Sequence, residues 1–230
     1  MAGETIRTEA ICLDLRPWSR TSHVVSWLTP TGKVSTVVKG AVRAKSQFLG
    51  QYDLNYTCDI LYYARAKGEL HALREAVPVE MREGLRGDYR KLALAGYMRL
   101  LAAELAPAGE ECRPWYELLL SSLSSLVPRV DDLVRFELAV LRLSGLAPDF
   151  SKYDRNAEWS AFSVETGSFG EAGGRFVRVS REVAGYLERG ARDAEKSQTP
   201  LDAARVIGVF YQFHLDCASD VRRTVLGMIS

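Results

Sequence analysis

The chain has 230 residues, 47% of them hydrophobic and 26% charged, with a net charge of +1. This length allows one or two domains with a sizeable core, and the composition excludes a chain that is mainly disordered. No apolar run approaches the ~20 residues that span a bilayer, and the opening MAGETIRTEA carries Glu4 and Glu9 instead of a signal-like apolar stretch, so a cytoplasmic protein is expected.

Residues Glu4 to Leu13 alternate, with Ile6, Thr8, Ala10 and Cys12 on one face, which predicts a strand that Pro17 should end. His23–Thr29 is rich in β-branched and aromatic residues. Pro30-Thr31-Gly32 is turn chemistry, and Lys33–Lys39 makes the return strand of a hairpin. Gly40–Gly50 reads as a basic loop. Tyr52–Tyr63 alternates again, Ala64–Gly68 should turn the chain, and Glu69–Ala76 supplies a fifth strand. Five short strands with tight turns suit a small closed barrel, which removes its own edges. The OB barrel leads and an SH3-like barrel is its competitor.

After Pro78 the pattern becomes helical. Asp88 should cap a helix running to Leu105, and Pro114 should open a second that stops before Pro128. Asp131 or Asp132 should cap a third, which buries Leu133, Phe136, Val140 and Leu143 and ends at a C′ glycine, Gly145. Residues Ala147–Val179 interrupt the helices. Gly167, Gly170, Gly173 and Gly174, with Trp159, Phe162, Phe169 and Phe176, suggest a short β-hairpin held by those aromatics. Ser180 should cap a helix to Leu187, and Thr199-Pro200 should start a last helix that runs past His214. The expected fold class is therefore α+β: a five-stranded OB barrel over residues 1–78, then a helical domain over residues 79–230 with a hairpin insertion at about 150–179.

The chemistry-bearing residues are sparse. Cys12, Cys58, Cys112 and Cys217, like His23, His71 and His214, are scattered, so the sequence offers no metal motif, and reduced, mostly buried thiols are expected. Glycine-rich phosphate loops and nucleophile motifs are missing, and the acidic pairs Glu110-Glu111 and Asp131-Asp132 suit a loop and a cap better than acid–base work. No enzyme is expected. One charge feature stands out. From Leu15 to Tyr52 there are six cations (Arg16, Arg20, Lys33, Lys39, Arg43 and Lys45) and no acid, where average frequency predicts about five acids. Trp18, Trp27, Phe48 and Tyr52 are interleaved with them. Cations that track phosphates beside rings that stack on bases are the makings of a single-strand site. Trp27, inside an apolar strand, is expected in the core.

The run Thr8–Leu54 resembles the N-terminal domain of the bacterial RecO family. It shows Ala10-Ile11-x-Leu13, then Arg16-Pro17, then Leu28-Thr29-Pro30-x-Gly32-Lys33, and finally Lys39-Gly40-Ala41-x-Arg43-x-x-Ser46-x-Phe48. A second run, Arg135–Phe150, resembles the family's helix end through Phe136-Glu137, Leu141, Gly145 and Pro148. The resemblance implies an OB fold followed by a helical, partner-binding domain in a nucleoid-associated recombination mediator. It implies binding of single- and double-stranded DNA, annealing of complementary strands, and work with RecR. It also implies contact with the tail of the single-stranded-DNA-binding protein, whose coat is bypassed so that RecA can load. On this reading Lys39 and Arg43 match basic family positions, with Arg16, Lys33 and Lys45 matching less well, and Arg20, Trp18 and Phe48 complete the candidate DNA site. Arg99, Arg113, Arg129, Arg135 and Arg142 are candidates for the rim of a tail-binding groove. Many members of the family also carry a four-cysteine zinc element. Here Ser151–Gly174 contains no cysteine, and Tyr153 and Asn156 stand near the first pair's place, so neither zinc nor any other cofactor is expected. The competing readings are an adaptor without DNA binding, an RNA-binding OB protein, and a hydrolase with scattered carboxylates.

Overall fold

The computed structural model describes residues 4–65, 70–108, 112–170, 174–194, 196–215 and 217–230. By its internal contacts the chain forms two compact units, Met1–Ser125 and Leu126–Ser230, so two helices that follow Pro78 group with the barrel.

In the first unit the strands are β1 (Thr5–Ser19), β2 (Ser22–Thr29), β3 (Gly32–Val38), β4 (Thr57–Tyr63) and β5 (Leu70–Glu80). They close in the order β1-β2-β3-β5-β4, with β3 and β5 parallel and every other pair antiparallel. This is the OB arrangement, and it sets aside the SH3-like alternative. Alternation fills the barrel: Ala10 and Cys12, Val25 and Trp27, and Cys58, Ile60 and Tyr62 point inward. Ile11, Leu13 and Leu28 are buried as well. They lie on the other face of strands that pack against α1 (Tyr89–Leu105) and α2 (Arg113–Ser124).

Pro17 does not end β1. The first half of β1 pairs with β4 only as far as Ile11, and from Cys12 onward it has β2 as its strand partner. A proline can sit where one edge needs no N–H donor. The fifth strand likewise runs on through Pro78 to Glu80, beyond the expected end at Ala76. The expected turn over Ala64–Gly68 and the expected start at Glu69 fall partly outside the described residues, as do Glu110-Glu111 and Gly173. Asp88 caps α1 by accepting from the Arg90 N–H, and Pro114 lies in the first turn of α2.

In the second unit α3 spans Val130–Leu143. Its cap position is Arg129, two or three residues before the expected aspartates, which lie in the first turn where carboxylates favour the helix dipole. Asp132 reaches back and accepts from the Val127 N–H at 3.0 Å. Gly145, at φ 72, closes the helix: its N–H donates to Arg142 and that of Leu146 donates to Leu141, a Schellman pair. The excursion is a three-stranded sheet, larger than the expected hairpin, with β6 (Trp159–Ser163) between β7 (Ser168–Phe169) and β8 (Phe176–Ser180). Phe162 and Phe169 pack together at 5.4 Å and Phe150 stacks on Phe162 at 5.1 Å, but Trp159 and Phe176 point outward and do not hold the sheet. Period two explains this, since Trp159 and Phe162 are three residues apart and must face opposite ways.

Ser180 caps α4 (Arg181–Glu188) by accepting from the Val183 N–H. The next helix, α5 (Thr199–His214), is capped at Gln198, one residue before the expected Thr199. The expected continuation is a separate helix, α6 (Ser219–Ile229), entered through Ala218 at φ 53. Glu137 of α3 is fully buried and accepts two hydrogen bonds from Arg222 of α6, at 2.7 and 2.8 Å. Arg222 also donates to the Ala204 carbonyl of α5. Gly208 clears the way, because a Cβ there would lie 2.4 Å from the guanidinium.

Candidate nucleic-acid interface

Two connections of the barrel meet at one end. His23 pairs with both Pro17 and Val38, so the end of β1 and the end of β3 flank the start of β2. The Val42 N–H then donates to the Thr21 carbonyl, and the Gly40 N–H donates to Ser22 Oγ, both at 3.3 Å. The Arg20-Thr21 turn is thereby stitched to Lys39–Arg43. Gly40 takes φ 68 with the Arg43 stem laid over it, 3.2 Å from where a Cβ would sit, which favours glycine on both counts. Successive turns carry the loop from Gly40 to Gln51.

Between the two connections lies an open groove of about 380 Å³, lined by Trp18, Ser19, Ser22, Lys39, Gly40 and Arg43, with Val37 at its base. Trp18 is 64% exposed. Arg20, Lys39, Arg43 and Lys45 are exposed, and among the described residues none has a carboxylate within ion-pair distance. By contrast, Arg7 on β1 meets Asp59 at 2.7 Å and Glu75 at 2.6 Å.

The eight candidate residues do not all gather there. Trp18, Arg20, Lys39 and Arg43 come together, and Lys45 follows on the same loop. Lys33 stands at the opposite end of β3, roughly 20 Å away along the strand, and donates to the Ala103 carbonyl of α1. Arg16 is exposed but bridged to Asp14, an acid just outside the acid-free window. Phe48 packs against the barrel core and anchors the loop instead of offering a free ring. Trp27 is core, donating to Thr36 Oγ1 at 2.9 Å. Tyr52 is buried too; its hydroxyl meets His23 Nδ1 at 3.0 Å, and burial pushes the phenol up to about 12. Sequence reasoning missed Arg74 of β5, exposed over the Tyr63 ring at 5.6 Å. Its carbonyl accepts from Gln47 on the basic loop, a contact 27 residues away in sequence that no local pattern could announce.

The five candidate rim arginines fall in both units, Arg99 and Arg113 in the first and Arg129, Arg135 and Arg142 in the second. Arg99 turns inward to the Leu13 carbonyl, Arg113 lies 4.0 Å from Glu117, and Arg135 pairs with Asp132 at 2.7 Å. Arg129 occupies the cap position of α3 and Arg142 lies in its last turn. Cys12, Cys58 and Cys112 are buried, and burial pushes the Cys58 thiol up to about 12, which keeps it protonated and unreactive.

The residues where a zinc element would stand do not fit one. Tyr153 packs on Phe169 at 6.0 Å beneath the Arg155 guanidinium at 5.1 Å. Among the described residues no three His, Cys, Asp or Glu side chains form a metal-holding group. Metal analysis of purified protein should therefore find well below one zinc per chain, and chelator should leave the melting temperature unchanged. Stoichiometric zinc would overturn this reading.

No helix among the described residues is long and apolar enough to cross a membrane. Models of the recombination protein O family match the chain in two parts, the N-terminal model over residues 1–82 and the C-terminal model over residues 86–218. The DNA repair protein RecO of Desulforudis audaxviator (strain MP104C) is 30% identical over 218 residues, covering 91% of this chain and 80% of that protein. Its counterpart from Alkaliphilus metalliredigens (strain QYMF) is 29% identical over 149 residues, covering 62% of this chain. That from Anaeromyxobacter sp. (strain K) is 30% identical over 149 residues, covering 63%. In the latter two the matched stretch spans 59% of the relative's own length. With an OB barrel ahead of the helices and both regional models matched in order, this chain belongs to the recombination protein O family.

Proposed function

We propose that this protein is a non-catalytic DNA-repair mediator. It binds single-stranded DNA in the groove between Trp18 and Arg43, promotes annealing of complementary strands, and with RecR helps RecA load onto strands coated by the single-stranded-DNA-binding protein. The observation that carries the reading is the set of uncompensated cations on two stitched connections, Arg20, Lys39, Arg43 and Lys45, beside an exposed indole. Its relatives' description as DNA repair proteins supports the same class of work. Such a surface binds phosphates without reading sequence, since cations follow the backbone while a ring accepts any base. The same cations would take duplex phosphates. Annealing needs only partial neutralisation of two strands with base edges left free, so no bond is made or broken by the protein.

A salt titration of single-strand binding tests this. Three or four engaged cations predict a slope of log K against log salt of about −2 to −3. An oligonucleotide that is not retained, or retained with no salt dependence, would favour the adaptor reading. Tighter binding of matched RNA would favour an RNA-binding role.

A further inference from the structure

The outward face of the small sheet in Leu126–Ser230 is aromatic and cationic. In the ladder Trp159 lies opposite Ser180, Ala161 opposite Arg178, and Ser163 opposite Phe176. Cross-strand partners and alternate residues share a face, so Trp159, Arg178 and Phe176 run diagonally across one surface. Trp159 is 45% and Phe176 50% exposed, whereas Phe162 and Val179, which point the other way, are 0% and 1% exposed. The Arg178 guanidinium lies 5.3 Å from the Trp159 ring centre. The remaining residues of the face, Ala161, Ser163 and Ser180, are small and leave the rings uncovered.

A lone exposed ring needs no explanation. Two on one sheet face, with a guanidinium between them, differ from the rest of this unit, whose other aromatics on the sheet are packed inward. The charge around them is positive. Arg175, Arg178 and Arg181 are exposed, and none has a carboxylate partner among the described residues. Acids are also near: Glu165 accepts from the Arg175 N–H, Asp202 holds Arg205 at 2.7 Å, and Glu188 holds Arg155 at 2.9 Å. Glu158, next to Trp159, is another; it is exposed and its carbonyl accepts from the Arg181 N–H. Trp159 and Arg178 also border an apolar groove of about 440 Å³ with Val183, Val206, Val209 and Arg205.

We propose that this face is a second single-strand platform, with bases stacked on Trp159 and Phe176 and the backbone drawn to Arg178 on the same face and to the exposed Arg175 and Arg181, which flank β8 in the chain. The rings are four ladder positions apart, roughly 13 Å, which leaves room for a base on each. Charge complementarity points to the occupant: three guanidiniums with no carboxylate partner among the described residues call for an anion, and a nucleic-acid strand supplies both phosphates and π faces for the two separated rings. The inference rests on the reading that this protein binds single-stranded DNA. It adds that the second unit holds a strand of its own, so that one chain can hold two strands.

The experiment uses the full chain with a labelled oligothymidylate and a complementary-strand annealing assay. Trp159→Ala with Phe176→Ala should weaken oligonucleotide binding about tenfold or more and slow annealing, with an unchanged melting temperature because both rings are exposed. Arg178→Gln, a milder change, should act in the same direction and guards against a folding defect in the double variant. In a Trp18→Phe chain, oligonucleotide should quench the fluorescence contributed by Trp159, since Trp27 and Trp115 are buried. Unchanged binding, annealing and fluorescence, in a protein whose affinity still depends on Lys39 and Arg43, would overturn the platform and leave the barrel site standing. A parent protein that binds no oligonucleotide would overturn both. Loss of affinity for an apolar peptide, with oligonucleotide binding unchanged, would reassign the face to a protein partner.

Discussion

Reversing the charge of Lys39 and Arg43 together, as Lys39→Glu with Arg43→Glu, should weaken single-strand binding at least tenfold at moderate salt and leave the fold intact. Two of the four gathered cations would go, so the salt slope should fall by about 1.4 at ~0.7 per phosphate contact on a single strand. The two glutamates would also repel the strand that the lysine and arginine had attracted. The fold should survive because both side chains are exposed and neither has a carboxylate partner among the described residues. Exposed substitutions of this kind usually move stability by no more than ~0.5 kcal/mol. Lys33→Glu is the internal control. It removes a cation from the same strand, but at the end that meets the Ala103 carbonyl, so it should have little effect on affinity. Filter binding across salt concentrations, beside thermal melts of the three proteins, checks the set. Equal losses from Lys33→Glu and the double reversal would mean that net charge, and not this groove, drives binding.

Glu137→Ala should be the most damaging single substitution in the second unit. The carboxylate is fully buried, and it meets the Arg222 guanidinium, whose side chain is 12% exposed. Its removal takes this carboxylate away from a mostly buried cation, and breaking such a pair costs about 3–5 kcal/mol, a large part of the 5–15 kcal/mol by which domains are typically stable. The helices α3, α5 and α6 share this contact, so Leu126–Ser230 should melt at markedly lower urea or temperature. Glu137→Gln keeps hydrogen-bond acceptance without the charge and should lose less. A double change, Glu137→Met with Arg222→Met, should recover much of the loss, because replacing both members of a buried pair by apolar groups is often close to neutral. Circular dichroism during urea unfolding measures all three. If Glu137→Ala melted like the parent, the pair would have no structural weight.

Much of this is legible in the sequence. Alternation over Tyr52–Tyr63 marks a strand, of which Thr57–Tyr63 takes up the conformation, and Pro30-Thr31-Gly32 marks the β2–β3 turn. Asp88, Pro114, Gly145 and Ser180 all mark helix ends or starts through local chemistry that does not depend on distant residues. The errors are equally physical. Pro17 looked like a terminator because the sequence does not say that β1 keeps one strand partner beyond Ile11. Lys33 and Lys39 read as one patch in the sequence, but extended β3 carries them to its opposite ends. Trp159 and Phe176 were expected to hold the small sheet, although the odd spacing from Trp159 to Phe162 already forbade both rings from facing inward.

The amino-acid order by itself determined the five-stranded barrel, the helices behind it and the acid-free basic window, since these depend on side-chain periodicity, turn chemistry and a simple excess of charge over a short stretch. Tertiary structure alone decided which cations share a surface and which buried carboxylate has a partner. Thr21 meets Val42 across a sheet end, Gln47 meets Arg74, and Glu137 finds Arg222 some 85 residues away. Electrostatic and stacking energies depend on distances of a few ångströms, and such distances between remote residues exist only once the chain has closed on itself.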